Sequence, residues 1–106
     1  PTEPETNEDG IVTTEEELEA FFIVKSIIRS VVTSDRITYK DTRSYFGVQI
    51  DNNVRKTVVR FYFNQPKNKR IAIISEDKSE RMYKVQTLDE IYNYADELTE
   101  AAKRYV

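Results

Sequence analysis

Hydrophobic and other residues alternate in two segments near the middle of the chain, residues 45–50 and 58–63. A period of two is typical of β-strands that bury one face. One side of the two segments is apolar: Phe46, Val48, Ile50, Val59, Phe61 and Phe63. The other side is mixed in character: Tyr45, Gly47, Gln49, Val58, Arg60 and Tyr62. The polar residues 51–53 between the segments predict the turn of a hairpin.

Three further segments have the composition of strands, residues 37–41, 70–75 and 81–86. The connections between consecutive segments are short, and short connections require antiparallel neighbours. We therefore expect the second to fifth strands to form an antiparallel meander, with the fifth as a short edge strand.

A first helix is predicted ahead of the strands. It begins at a capping box, formed either by Thr13 with Glu16 or by Thr14 with Glu17, and ends near residues 33–35. Its apolar residues cover more than half of its circumference: Leu18, Phe21, Phe22, Val24, Ile27, Ile28, Val31 and Val32. So wide an apolar face indicates a helix packed between two surfaces, or one shared with a partner.

A last helix is predicted after the strands, starting at Thr87 with Glu90 completing a second capping box. The fold class is therefore α+β, in the order α-β-β-β-β-β-α. We expect a meander of about five antiparallel strands, with the N-terminal and C-terminal helices packed on one face of the sheet. The opposite face stays open to solvent, as antiparallel sheets allow.

The chain has 106 residues, and residues 11–106 are expected to form a single domain. Residues 1–10 are acidic, contain two prolines and no hydrophobic side chain, and predict a disordered linker. Such a linker, without an initiator Met, indicates a C-terminal fragment of a longer protein. The net charge of -3 hides a segregation, since residues 25–84 carry fourteen Lys or Arg against six Asp or Glu. Binding responds to this local excess rather than to the total.

Composition excludes several kinds of chemistry. The chain contains no Cys and no His, which removes disulfides, thiol nucleophiles, zinc–thiolate sites and the commonest general base. Any metal would have to be a hard ion held by carboxylates. No apolar segment approaches the length of a membrane span, so we expect no membrane partner. The lack of Cys fits a reducing compartment and a cytoplasmic location.

The open face of the sheet is the candidate functional surface. Tyr45, Arg60 and Tyr62 lie on it and would stack on or clamp a nucleic acid. Cations around this face would contact phosphates: Lys40, Arg55, Lys56, Lys69 and Arg70, with Lys84 nearby. The alternative is that Tyr and Arg side chains pair across strands and only stabilise an exposed face.

A polar corner lies where the first strand turns into the central hairpin. Asp41 and Arg43 would join Tyr45 in a buried hydrogen-bond network there, or would form a small ligand site. The alternative is a corner whose hydroxyl groups satisfy their own backbone.

Three residues fit a magnesium-nuclease pattern, in which Asp51 and Glu76 would bind the ion and Lys78 would polarise a water. Glu76 and Lys78 lie in a polar segment, SEDKSE, that reads as a hairpin turn, and a strand separates this segment from Asp51. The sequence therefore favours a solvated turn and no catalytic or metal-binding residue in this chain.

The first helix offers a different function. Phe22, Val24 or Val31 would form a residual apolar face for dimerisation or for docking on another domain. The alternative is a helix buried wholly within its own domain.

A series of segments runs through residues 10–105: GIVTTEEELEAFFIVKSIIRSVV, RITYKDTRSYFGVQIDNN, KTVVRFYFN, IAII and TLDEIYNYADEL. This series resembles the C-terminal region of predicted type I restriction enzyme R-subunit-like proteins of bacteria and phages. The resemblance implies that a nuclease-like domain, with any magnesium it needs, precedes this chain. It further implies a non-catalytic accessory module in a DNA-processing or defence protein. We expect DNA, the upstream domain or a second copy of the chain as partner, and no cofactor in this part.

Overall fold

The computed structural model describes residues 13–64 and 67–106. The predicted linker, residues 1–10, lies outside the described residues. The helices are α1 (Glu15–Ile28) and α2 (Ala95–Lys103), with short 3₁₀ helices at Ser34–Arg36 and Leu88–Tyr94. The strands, in chain order, are β1 (Ile37–Asp41), β2 (Phe46–Ile50), β3 (Asn53–Tyr62), β4 (Arg70–Ile74) and β5 (Glu80–Lys84).

The five strands form one antiparallel sheet in the order β1-β2-β3-β4-β5. The predicted fold class, α+β with a five-stranded meander between two terminal helices, is confirmed. The predicted central turn is tight, because Ile50 pairs with Asn53 and only two residues connect them. These residues, Asp51 and Asn52, have positive φ angles of 58° and 54°. This is the conformation of a type I′ hairpin turn, which Asp and Asn tolerate better than most residues.

The first helix starts as one of the two alternatives predicted. Thr14 caps it, since the Glu17 backbone nitrogen donates to Thr14 Oγ1 and the Glu17 carboxylate accepts from the Thr14 backbone. The helix ends at Ile28, earlier than predicted. Backbone nitrogens of Val31 and Val32 both donate to the Ile28 carbonyl, so the chain closes into a turn there. Consecutive β-branched residues lose rotamer freedom in a helix, which favours this early end.

The C-terminal helical region begins where predicted but is not one regular helix. Glu90 accepts from the backbone nitrogens of Gln86 and Thr87, at 2.5 and 2.6 Å. A 3₁₀ helix, Leu88–Tyr94, follows this cap, and α2 continues from Ala95. The two helical types together form the single predicted element.

The core lies between the helices and one face of the sheet. Phe46 pairs with Phe61 and Val48 pairs with Val59, which places the apolar alternation of β2 and β3 on the same face. The other fully buried residues of the cluster come from β4 and from both helical regions and include Ile71, Val24, Ile28, Ile91 and Leu98. Each such side chain contributes about 1.5–3 kcal/mol through burial. Both terminal helical regions therefore cover the same face of the sheet.

Val58 and Gln49 depart from the predicted alternation. Both were expected on the open face, but Val58 is fully buried and belongs to the core cluster, and Gln49 is 1 % exposed. The register explains the position of Val58, since Val48 pairs with Val59 while Gln49 pairs with Thr57. One extra residue in β3 is thus unpaired with β2, and such a β-bulge reverses the alternation locally.

Candidate nucleic-acid interface

The outer face is the side of the sheet opposite the helices. Two rows of residues that are neighbours across the strands cross it. One row runs through Lys40, Gly47, Arg60, Ala72 and Met82. The other runs through Tyr62, Arg70 and Lys84, and Tyr45 lies beside Tyr62 with 6.1 Å between ring centroids. No helix among the described residues covers this face, because α1, α2 and the Leu88–Tyr94 segment pack on the other side.

Tyr45 is held by contacts on two sides. Its ring lies over Gly47, where an added Cβ would come within 3.2 Å of a ring carbon. The guanidinium Cζ of Arg60 lies 4.8 Å from the Tyr45 ring centroid, within the range of a cation–π contact. A side chain at Gly47 would therefore crowd the Tyr45 ring, which would have to shift by a few tenths of an ångström.

Glu80 connects the aromatic and cationic residues of the outer face. Arg60 Nη1 donates to Glu80 Oε2 at 3.1 Å, and the Tyr62 hydroxyl donates to the same oxygen. Burial, with the bond to Glu80, raises the pKa of Tyr62. Burial alone would lower the pKa of Arg60, but the bond to Glu80 and the neighbouring Tyr45 raise it on balance. Arg70 completes the network, with its Cζ 5.6 Å from the Tyr62 ring centroid.

Sequence reasoning missed Glu80. It lies in the segment SEDKSE, which was interpreted as a solvated turn, while the fifth strand was predicted to start at residue 81. The strand starts at Glu80 and pairs it with Ile74. Alternation from Lys84 back through Met82 would have placed Glu80 on the outer face, so the signal was present in the sequence.

The predicted phosphate-binding cations separate into two groups. Lys40 and Lys84 are exposed on the outer face and form no ion pair among the described residues. Arg55 is exposed at the end of that face. Lys56 instead binds Asp51 at 2.9 Å, and Lys69 binds Glu16 of α1 at 2.5 Å. These two lysines are neutralised by acidic partners, and Lys69 lies on the helix side.

The outer face is positive. Its strand residues, within the described ranges, include four basic side chains, Lys40, Arg60, Arg70 and Lys84, and one acidic side chain, Glu80. Because Glu80 is bound to Arg60 and Tyr62, it does not neutralise the cations at the edges of the face. An open surface with a positive electrostatic potential attracts polyanions.

The polar corner has a different arrangement from the predicted network. Asp41 pairs with Phe46 and lies on the helix side, where Thr13 Oγ1 donates to its carboxylate at 2.8 Å. Burial raises the pKa of Asp41. Tyr45 lies on the outer face, so the sheet separates it from Asp41. The Arg43 carbonyl accepts from Asn64 Nδ2 at 3.0 Å, which ties the corner to the end of β3.

Two residues of the nuclease pattern, Asp51 and Lys78, have other partners. Asp51 accepts from Arg36 Nε and Nη2, at 2.8 and 2.9 Å, and from Lys56 Nζ at 2.9 Å. These bonds, that to Arg36 foremost, hold the pKa of Asp51 well below its usual range. Lys78 Nζ donates to the Tyr105 hydroxyl at 2.8 Å and to the Arg55 carbonyl at 2.9 Å.

The first helix leaves one large apolar side chain exposed. Of the three residues predicted for a docking face, Val24 is fully buried, Val31 is half-buried and Phe22 is 58 % exposed. Val24 was therefore wrongly included, because it faces the sheet. In the part of the chain that the structure describes, no helix has the length and apolar composition needed to cross a bilayer.

Comparison with known proteins does not assign this site. No protein-family model matches the sequence, and no curated protein or solved structure matches it significantly.

Proposed function

We propose that this domain is a non-catalytic accessory module that binds nucleic acid through the outer face, with DNA as the expected ligand in a restriction-nuclease-like protein. The observation that supports the proposal is an open sheet face on which Lys40, Arg70 and Lys84 have no acidic partner among the described residues. Cations that are already paired have little to gain from a phosphate, whereas unpaired ones release counterions when a strand binds.

The side chains of the outer face have distinct roles in this proposal. Lys40 and Lys84 lie at its two edges, on β1 and β5, and contact phosphates of a strand that crosses the sheet. Tyr45 and Tyr62 are half-buried, and their remaining exposed surface packs against sugars or bases. Arg60 and Glu80 hold both rings in place before binding, which reduces the entropy lost on association.

A charge-reversal pair tests the proposal. The variant K40E/K84E places acids at both edges of the outer face, and the control R29E/K103E makes the same change in net charge on the helix side. Fluorescence anisotropy with labelled single-stranded and duplex DNA measures binding. We expect K40E/K84E to lower affinity by about tenfold or more and R29E/K103E to change it by less than about threefold.

The outcomes separate a specific face from general charge attraction. Equal losses in the two variants would mean that only the net charge matters, and the outer face would then not be the interface. No binding by the unmodified chain at low salt would remove the nucleic-acid function altogether. Docking through the first helix would then be the remaining function, supported by exposed Phe22.

A further inference from the structure

A small pocket opens at the end of the outer face, beside the turn between β1 and β2. Its volume is about 150 Å³, and its lining residues are Ser44, Tyr62, Asn64 and Arg70. Tyr62 ends β3 and pairs with Arg70, which begins β4, while Ser44 belongs to the β1–β2 turn. None of these four lining residues is acidic.

Hydrogen bonds fix the wall of this pocket. Thr42 Oγ1 accepts from the backbone nitrogens of Ser44 and Tyr45, at 3.3 and 3.1 Å, and donates to the Tyr45 carbonyl at 2.9 Å. Asn64 Nδ2 donates to the carbonyl of Arg43 at 3.0 Å. The turn that carries Ser44 is therefore tied both to itself and to the end of β3, so the pocket is built before any ligand arrives.

Arg70 has unused hydrogen-bonding capacity in this pocket. None of its guanidinium nitrogens has an acceptor among residues 13–64 and 67–106, and its Nε is buried without a partner. Its Cζ lies 5.6 Å from the ring centroid of Tyr62, within the range of a cation–π contact. The Ser44 hydroxyl likewise has no hydrogen-bond partner in the described part of the chain. A guanidinium with unpaired donors is suited to a bidentate oxyanion.

The size of the pocket suits a small group. Liquid water occupies about 30 Å³ per molecule, so a volume of about 150 Å³ has room for the five non-hydrogen atoms of a phosphate group. Phosphate oxygens accept from a guanidinium fork and from a hydroxyl, the two donors that the pocket leaves unpaired.

We propose that Arg70, Ser44 and Asn64 form a phosphate-binding pocket that receives one phosphate group, with Arg70 as the bidentate donor and Ser44 as a second donor. The source of that phosphate group, a phosphodiester of the bound strand, rests on the proposed function. The chemistry of the pocket does not depend on it. The pocket fixes the position of the bound nucleic-acid strand at one phosphate. Lys40 and Lys84 attract the strand electrostatically but do not fix its geometry.

Titration of isotope-labelled protein followed by heteronuclear NMR tests this pocket. Inorganic phosphate is added in one series and a short single-stranded oligonucleotide in another, and backbone amides of 42–45 and 64 are followed with the Arg70 Nε–H signal. We expect both ligands to shift these signals. In R70K, which keeps the charge but loses the fork, the phosphate concentration for half-maximal shift rises about tenfold.

A second substitution protects the test against misfolding of the Arg70 variant. Ser44 is exposed, so S44D places a carboxylate at the pocket mouth without disturbing the core, and S34D on the helix side is its matched control. We expect S44D to abolish the phosphate response and S34D to leave it unchanged.

The outcomes distinguish the pocket from the proposed function. If phosphate shifts the pocket but no oligonucleotide binds, the pocket stands with a free phosphate or small phosphorylated ligand as its source, and the proposed function fails. If the oligonucleotide binds but phosphate leaves the pocket signals unmoved, or R70K and S44D respond like the unmodified protein, the pocket is overturned and the outer face survives.

Discussion

Glu80 is the residue on which the geometry of the outer face depends. It lies between Arg60 and Tyr62, and through them it positions Tyr45 and Arg70. A single carboxylate among four cations has two opposing effects. It orders the face, but it also subtracts from the positive field that attracts a polyanion.

Replacing Glu80 with Gln separates these two effects. The substitution weakens the bonds to Arg60 and Tyr62, and we expect a loss of about 1 kcal/mol in the free energy of unfolding, measured by urea denaturation. DNA affinity at low salt should rise or stay constant, because the acidic charge removed from the face outweighs the order that Glu80 gives to the two tyrosine rings. The control is E76Q in the exposed β4–β5 turn, which should leave stability unchanged. A destabilisation of equal size in E76Q would contradict the assigned role of Glu80.

Glu17 gives stability a dependence on pH. It is 5 % exposed, and burial, opposed by the bonds to Thr14, raises its pKa above the ordinary 4.5. The folded state therefore holds the carboxyl proton of Glu17 more tightly than the unfolded state does. The resulting contribution to the free energy of unfolding is present below pH 4.5 and is lost as pH rises through the raised pKa.

The variant E17Q should remove this step, because Gln keeps the capping bond and carries no charge. Between mildly acidic and neutral pH, its free energy of unfolding should fall less than that of the unmodified chain. Burial also raises the pKa of Asp41, so a smaller decline should remain. Urea denaturation at a series of pH values measures the free energy of unfolding. The control is the same substitution at an exposed position of the helix, Glu19→Gln. Parallel pH profiles for E17Q and the unmodified chain would refute this assignment.

At the scale of elements, patterning and capping predicted the order of helices and strands, their antiparallel pairing and the side that the helices cover. They did not predict where α1 ends or that the last helix begins as a 3₁₀ helix. These details depend on tertiary packing, which overrides weak local preferences. The bulge at Val58 was also missed, because an inserted residue reverses alternation without any mark in the sequence.

Truncating Val58 tests whether the bulge directs it into the core. V58A removes two methyl groups from a fully buried position, so we expect a loss of about 2 kcal/mol in the free energy of unfolding. V54A on the same strand is the control, since Val54 is 56 % exposed and should cost less than about 0.5 kcal/mol. Similar values for the two variants in urea denaturation would place Val58 on the surface instead.

The candidate site was predicted less completely than the fold. The open face and its residues Tyr45, Arg60 and Tyr62 followed from the period of two. Lys40 and Arg70 were predicted only as cations around that face, and the register places them on it. The pairing of Lys56 and Lys69 with acidic residues was not predicted, because Asp51 and Glu16 are brought to them by a tight turn and by helix docking. Which cations remain unpaired is a property of the folded chain, and nucleic-acid binding stays a proposal.

For the whole molecule, the distribution of exposed apolar residues bears on self-association. Phe22 and Tyr39 are exposed at 58 % and 37 %, and both contact the buried ring of Phe21. Two such side chains form a smaller apolar surface than a stable dimer requires. We expect light scattering to give the monomer mass across a wide concentration range. A mass that rises with concentration, and falls again in F22S, would instead favour the docking function of the first helix.

The salt dependence of DNA binding tests the central claim most directly. If Lys40, Arg70 and Lys84 each neutralise one phosphate, the dissociation constant should rise about 20- to 40-fold between about 50 and about 200 mM salt. In K40E/K84E the slope of log affinity against log salt should become shallower by about two. Affinity that is independent of salt, or a slope that the double variant leaves unchanged, would show that these unpaired cations do not hold the strand.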